Sequence, residues 1–468
     1  MDSVKPFPIA APRIVIVAIV YLSLFLDNIL LTVVVPIIPD YLYTMDENTR
    51  RLSLKTYEQM SQFTNKSVLE QVVDENVPVS LLLSSKALVQ LVMNPVVGAL
   101  TSHCGYQLPL FIGSLHLLLA ALLFAFSESY LGLFIARSLQ GIASACIGVS
   151  VIVCPGMCLI AEYFPTETSR SRVMGFILGS VALGVLLGYP FGGFLYDFFG
   201  KTIPFLFIAF FVLTDLVLQL SFLDLKPTYE GAVVQDGWLS LLTDGYIVLC
   251  TAAIWLSSSA MAILEPCLPL WLMANIKPQK WQLGTVFIPD SIGYLLGTNC
   301  FGLIALRLGR WRVAVAAMLL VGVSAFMVPS AKTMAQLTLP HLGLGLGIGV
   351  VDSALVPLLA TLVDARHCAH YGVVYALQQM AVSLAYCLGP MIGGEVVHLI
   401  GFPWLLRAVG IINIVYCPLL ILLSRQASST SQTAAITESY QVNYKTNEES
   451  KVSRNKYERF FNPDDESD

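Results

Sequence analysis

Runs of roughly 20 apolar residues, the length a helix needs to cross a bilayer, recur along the chain with short polar breaks between them. They fall near 14–38, 79–101, 107–127, 130–155, 172–195, 203–223, 245–272, 283–305, 312–330, 336–362, 371–397 and 402–424. The pattern predicts an all-α membrane protein with twelve transmembrane helices. The first run has no small-residue cleavage pattern and is long enough to span, so it reads as a retained helix rather than a signal peptide. An even number of spans puts both termini on one side. Short loops on that side hold Arg170, Arg172, Lys226, Arg307, Arg310, Arg312 and Arg366, against Lys201, Lys277, Lys280, Lys332 and Arg407 opposite. That excess of positive charge predicts cytoplasmic termini.

The expected organisation is a cytoplasmic segment 1–13, a six-helix bundle 14–223 with a long far-side loop at 39–78, a cytoplasmic linker 224–244, a second bundle 245–424 and a polar tail 425–468 that reads as disordered. The two bundles repeat. "GVLLGYPFGG" in the fifth span and "AYCLGPMIGG" in the eleventh place Gly188 and Gly389 201 positions apart, while Gly98 and Gly105 match Gly302 and Gly309 at an offset of 204. Membrane-packing glycines in general explain each pattern but not the shared offset. Two parallel six-helix halves with a site between them at the midplane are the architecture of the major facilitator superfamily.

Composition agrees with the pattern. The 468 residues are 56% hydrophobic and 12% charged, with mean hydropathy +0.73, against about 25% charged in a soluble domain. The net charge of −5 is spread over loops and tail, and no basic patch interleaved with aromatics suggests nucleic acid. The ten cysteines lie in spans or at their ends and read as small core residues rather than disulfide or metal pairs, Cys154 and Cys158 included. No phosphate loop, metal-spaced cluster or Ser–His–acid arrangement points to an enzyme, and no cofactor is implied.

The chemistry lies in charges inside apolar runs. From Arg13 to Asp27 a helix climbs about 21 Å at roughly 1.5 Å per residue, which puts the Asp27 carboxylate near the membrane centre. A charge there costs roughly 2.5 to 3.5 kcal/mol on insertion scales. Lys86, Arg137, Glu265 and Asp352 are likewise embedded. The first and fourth spans of each half supply Asp27, Arg137, Glu265 and Asp352, and those helices line the central cavity in this architecture. Structural ion pairing accounts for Arg137 as readily as function does, but three acids cannot all be neutralised by so few cations. Low dielectric disfavours the charged form of a carboxyl, so such groups exchange protons, and when ionised they attract a cation. A site that holds a proton or an organic amine in turn makes an antiporter if the protein alternates between two open states. Pro266, Pro269 and Pro357 offer bending points beside the acids.

At these residues the chain resembles the vesicular amine transporters, which exchange luminal protons for cytosolic monoamines or acetylcholine. "LFLDNILLTVVVPIIPDYL", "ARSLQGI", "LEPCLPLW", "KWQLG", "GYLLGTNCFG", "VDARHCAHYGVVYA" and "GFPWLL" carry the resemblance, which runs from about residue 14 to 424. "LEPCLPLWLM" and "SIGYLLGTN" resemble the monoamine branch. The resemblance implies that Asp27 binds the substrate ammonium with Asn28 beside it. Glu265 and Asp352 would carry protons and recognition, and Arg137 would belong to the proton-coupling motif. Trp271, Phe287, Tyr294, Tyr375 and Tyr386 would wall the pocket, where aromatic faces attract a cation by about 0.5 to 2 kcal/mol each. His367 would aid coupling, although a histidine at a loop end explains it equally.

This chain departs from the pattern. Where the family has a helix 11 aspartate, expected to pair with the helix 2 lysine, it has Gln379, so Lys86 loses its partner. Asp290 is an acid outside the family pattern. It lies 12 positions before Gly302, as Lys86 lies 12 before Gly98, so the repeat makes them symmetry mates and suggests that the lost charge has moved to Asp290. Ser258, Leu83, Val382 and Val356 replace the family's asparagine, phenylalanines and methionine. The far-side loop and the "IKPQKWQLG" segment both lack the family's paired cysteines, so no luminal disulfide is expected.

The expected function is proton-coupled loading of a small cationic amine of the monoamine neurotransmitter type into acidic secretory or synaptic vesicles, driven by the proton gradient and carried by a monomer. Asn65 in "NKS" is a glycosylation acceptor on the luminal side, and Tyr457 to Phe460 resembles a tyrosine-based signal for sorting adaptors. Competing readings are an orphan relative with another substrate, a plasma-membrane drug–proton antiporter, or a non-transporting ligand-binding protein.

Overall fold

The structure, a computed structural model, describes residues 13–57, 68–156, 167–223, 241–276, 285–366 and 371–424. Within them lie twelve long helices: α1 Arg13–Tyr57, α2 Val68–Cys104, α3 Gln107–Phe126, α4 Tyr130–Gly156, α5 Glu167–Phe199, α6 Thr202–Phe222, α7 Gly245–Asn275, α8 Ile288–Leu308, α9 Arg310–Met327, α10 Met334–Arg366, α11 Tyr371–Ile400 and α12 Phe402–Leu420. Each matches one predicted run. Eleven are long and apolar enough to cross a membrane; in α11 the adjacent Gln378 and Gln379 lower the mean hydropathy. Outward faces such as Leu88, Val92 and Val96 of α2 and Ile411, Ile412 and Val415 of α12 are exposed, as lipid contact requires.

One expectation fails at the first connection. The loop anticipated over 39–78 is helical to Tyr57 and again from Val68. "DYLYTMDENTRRLSLKTY" contains neither glycine nor proline to stop α1, so the helix runs on past the bilayer. Where α1 leaves its apolar run, Lys201 in the α5–α6 turn lies 4.0 Å above the Tyr41 ring and donates to the Ser127 carbonyl. Burial pulls the Lys201 pKa below the usual lysine value, with the Glu128 carboxylate opposing.

The repeat seen in the sequence is a repeat of geometry. Gly105, Gly200, Gly309 and Gly401 have positive φ, a conformation that side chains with a Cβ resist, and each ends a helix. They pair as Gly105 with Gly309 and Gly200 with Gly401, at the same offsets of 204 and 201. In the first half α1 packs on α5, where a Cβ at Gly188 would overlap the Thr32 hydroxyl; in the second α7 packs on α11, where a Cβ at Gly389 would meet the Ala262 backbone. A Cβ at Gly141 of α4 would strike the Lys86 carbonyl oxygen, and one at Gly345 of α10 the Asp290 carbonyl oxygen. Lys86 and Asp290 therefore hold equivalent positions in the two halves.

The halves meet where α2 packs on α11 and α5 on α8. Within the first half a buried polar knot joins three helices. Asp215 of α6 accepts from Ser23 of α1 at 2.7 Å, from Ser114 of α3 at 3.4 Å and from Gln219 at 2.7 Å. In the second half Tyr416 of α12 donates to the Leu249 carbonyl of α7 at 2.9 Å. Each half thus ties its last helix to its first.

Candidate functional site

Between the halves lies a cavity of about 270 Å³. The embedded acids and bases singled out in the sequence, Asp27, Lys86, Arg137, Glu265, Asp290 and Asp352, all line it. They arrive from six helices, α1, α2, α4, α7, α8 and α10, because in each half the close glycine contacts turn these helices' polar positions away from lipid. Asn28, Tyr294, Tyr386 and Gln379 line the cavity as well.

On the first-half wall, the Ser144 hydroxyl of α4 donates to Asp27 Oδ1 at 2.7 Å. Asp27 is 5% exposed, and Lys86 and Arg137 lie within its electrostatic reach. Arg137 donates from Nη1 to Gln140 at 2.7 Å, while its buried Nε has no partner among the described residues. Asn28 spends its amide on the Leu24 carbonyl one turn earlier, at 2.8 Å. Its capacity for a ligand is therefore its carbonyl oxygen.

On the opposite wall, the Tyr294 hydroxyl donates to Asp352 Oδ2 at 2.9 Å. Asp352 Oδ1 and Asp290 Oδ1 are buried and have no hydrogen-bond partner among the described residues. Glu265 stands between the walls. It is within reach of Arg137 and Lys86 on one side and of Asp290 on the other, and it accepts a hydrogen bond from Tyr189 of α5. The Tyr189 ring stacks on Phe287 with centroids 5.5 Å apart. Tyr189 thus bridges the halves on the side of the α1–α2 connection, since it lies in the last third of α5 and Phe287 just precedes α8.

Two expectations need correction. Asp290 is the symmetry mate of Lys86 but not its counter-charge: the acids bearing on Lys86 are Asp27 and Glu265. Helix packing is the reason, because α2 abuts α11 and α4 whereas α8 abuts α10 and α5. The relocated charge therefore faces Glu265. Nor does every expected aromatic reach the lining. Trp271 packs at a tilt on Phe402 with ring centroids 5.3 Å apart, Phe287 is buried and stacked on Tyr189, and Tyr375 is 2% exposed in the apolar core. All three lie outside the cavity lining in this conformation. His367, Asn65 and Tyr457 to Phe460 fall outside the described residues. The cysteines with described side chains, Cys104, Cys146, Cys250, Cys267, Cys300, Cys387 and Cys417, are free.

Sequence reasoning missed Tyr189, Ser144, Gln378 and Asp215. Tyr189 stood in the quoted glycine motif, beside Pro190, and its ring among small residues was the available signal. Ser144 and Gln378 carry no mark that separates them from other polar residues in spans. Asp215 was overlooked although it is an acid within an apolar run.

The chain matches the Major Facilitator Superfamily family model over residues 17–367 and again over 250–456. It is 41% identical over 455 residues to the human synaptic vesicular amine transporter, covering 87% of each chain. It is 38% identical to the rat chromaffin granule amine transporter, over 91% of this chain and 90% of that one. It is 37% identical to the zebrafish probable vesicular acetylcholine transporter-B, over 88% and 79%. The crystal structure of the human organic anion transporter TETRAN superposes with a TM-score of 0.70 at 18% identity, covering 87% of this chain and 99% of that one, which is a likeness of fold.

Proposed function

The chain belongs to the vesicular amine transporters of the major facilitator superfamily, and from that membership we propose that it exchanges protons for a small cationic amine across a vesicle membrane. As a member it is a multi-pass membrane transporter and not an enzyme. On this reading the proton gradient drives the exchange, the cargo is cationic, the compartment is a vesicle and both termini lie in the cytoplasm.

The observation that carries the reading is Asp27. Ser144 occupies its Oδ1, which leaves Oδ2 to accept from an ammonium, and Lys86 is the cation nearest in effect. An incoming ammonium and the Lys86 ammonium compete for one carboxylate. Binding of the amine therefore displaces positive charge toward Glu265, the other acid within reach of Lys86, and makes a proton on Glu265 less favourable. Cargo and proton are then alternatives, as antiport requires. Tyr294 and Tyr386 present aromatic surface to the same volume, which suits a cation. Alternating access follows if the halves rock about the cavity, with the Tyr189–Glu265 bridge closing one side.

Purified protein in liposomes with an acidic interior is expected to accumulate a labelled amine, and to lose the accumulation when a protonophore collapses the gradient. Uptake that ignores the gradient would refute the coupling, and Asp27→Asn with unchanged uptake would refute the role of Asp27.

A further inference from the structure

The carboxyls that line the cavity outnumber the cations, and they do so on one wall. Asp27 faces Lys86 and Arg137, and Glu265 is shared between those cations and Asp290. Among the described residues no cation acts on Asp290 or Asp352. They come from adjacent helices: Gly345 and Gly349 of α10 lie against the Asp290 and Tyr294 backbone of α8, and Tyr294 holds Asp352 by its Oδ2. Asp290 is 6% and Asp352 7% exposed, and each keeps one buried oxygen without a partner among the described residues. A third buried acceptor without a partner among the described residues is Oε1 of Gln378 of α11, a residue that also lines the cavity and is 5% exposed. Three unpartnered acceptors, two of them carboxyl, describe a place built for a donor of positive charge.

Asp27 supplies an ammonium site on the other wall, so the cavity has two acidic poles. We propose that Asp290 with Asp352 forms a second cation subsite and that the substrate is an organic dication, a diamine or polyamine spanning the two poles. The inference rests on the amine-transport reading and names the class of amine. A monocation seated at Asp27 leaves the second pole's acceptors unpartnered, whereas a diamine satisfies both poles with one flexible apolar chain between them. Lys86, displaced from Asp27, turns to Glu265 and so leaves the Asp290 wall to the ligand.

The test compares putrescine with butylamine, which shares its four-carbon chain but has one ammonium, by binding to the detergent-purified full chain and by uptake into acidified liposomes. A charge-assisted contact at the second pole predicts tighter binding of putrescine by on the order of tenfold. Asp290→Asn, with its thermal melt recorded alongside, is expected to bring that ratio to about one, a change that a purely structural role would not produce. Equal affinities in the unmutated protein, with proton-driven butylamine uptake intact, overturn the dication and leave the amine reading standing. A ratio unaffected by Asp290→Asn overturns the assignment of the subsite. Absence of proton-driven uptake for either compound overturns the amine reading itself.

Discussion

Replacing Tyr189 by phenylalanine removes a single hydroxyl and keeps the ring stacked on Phe287, so it isolates the bridge to Glu265. A hydrogen bond to an ionised acceptor contributes about 1.5–3 kcal/mol, and one to a neutral acceptor about 0.5–1.5. Because the bond joins α5 of one half to α7 of the other, it stabilises only conformers in which that side is shut. At about 1.4 kcal/mol per tenfold, Tyr189→Phe should raise the population open on the α1–α2 side by roughly ten- to a hundredfold where Glu265 is ionised. Where Glu265 carries a proton the increase should be roughly two- to tenfold. The assay is the labelling rate of a cysteine placed at Val35, which lines the cavity, in a background without other cysteines. A membrane-impermeant maleimide is added to that side at several pH values. Tyr189→Leu, which also loses the stack, should open the site further. Labelling within about twofold of the parent at every pH would refute the bridge as a latch.

Three further outcomes follow from the packing. Gly345→Ala forces α10 away from the Asp290 backbone and should destabilise by about 1–3 kcal/mol. Gly193→Ala meets nothing within 4 Å and should be neutral or mildly stabilising; thermal melts in detergent compare them, and equal shifts would contradict the α8–α10 seam. Lys86→Ala and Asp290→Asn share Glu265 as a neighbour without acting on each other, so their effects on amine binding should couple more weakly than those of Lys86→Ala with Asp27→Asn; stronger coupling in the first pair would restore a direct Lys86–Asp290 ion pair. Ser144→Ala removes the Asp27 Oδ1 partner and should change amine affinity by roughly two- to tenfold, read by equilibrium binding, with no change counting against the hydrogen bond.

The spans were legible because lipid demands one apolar run per helix, and the repeat because glycine is the residue that tolerates both a helix seam and a positive φ. Gly105 and Gly309 served the second purpose, Gly188 and Gly389 the first. The cavity acids were legible for the same energetic reason, since a carboxylate in a span is rare without a use. Partner choice was not legible. Sequence symmetry made Asp290 equivalent to Lys86 and suggested that the two meet, but equivalence under a two-fold repeat places residues on opposite walls unless they lie near the axis. The aromatic wall was only partly legible, because Trp271, Phe287 and Tyr375 face neighbouring helices in the described conformation. The length of α1 was obscured by polarity, which ends a membrane span without ending a helix.

The Asp215 knot bears on how force passes through the molecule. Ser23, which it grips, lies one helical turn before Asp27 on the same face of α1. A ligand that pulls on Asp27 therefore pulls on a strut bolted to α3 and α6, and α1 cannot twist or slide alone to relieve the load. Torque applied at the cargo is delivered to the whole first bundle, so the bundle turns as a lever with its fulcrum at the contacts between the halves. Spin labels on α1 and α6 should keep a fixed separation through the cycle, while either label should shift against one on α12.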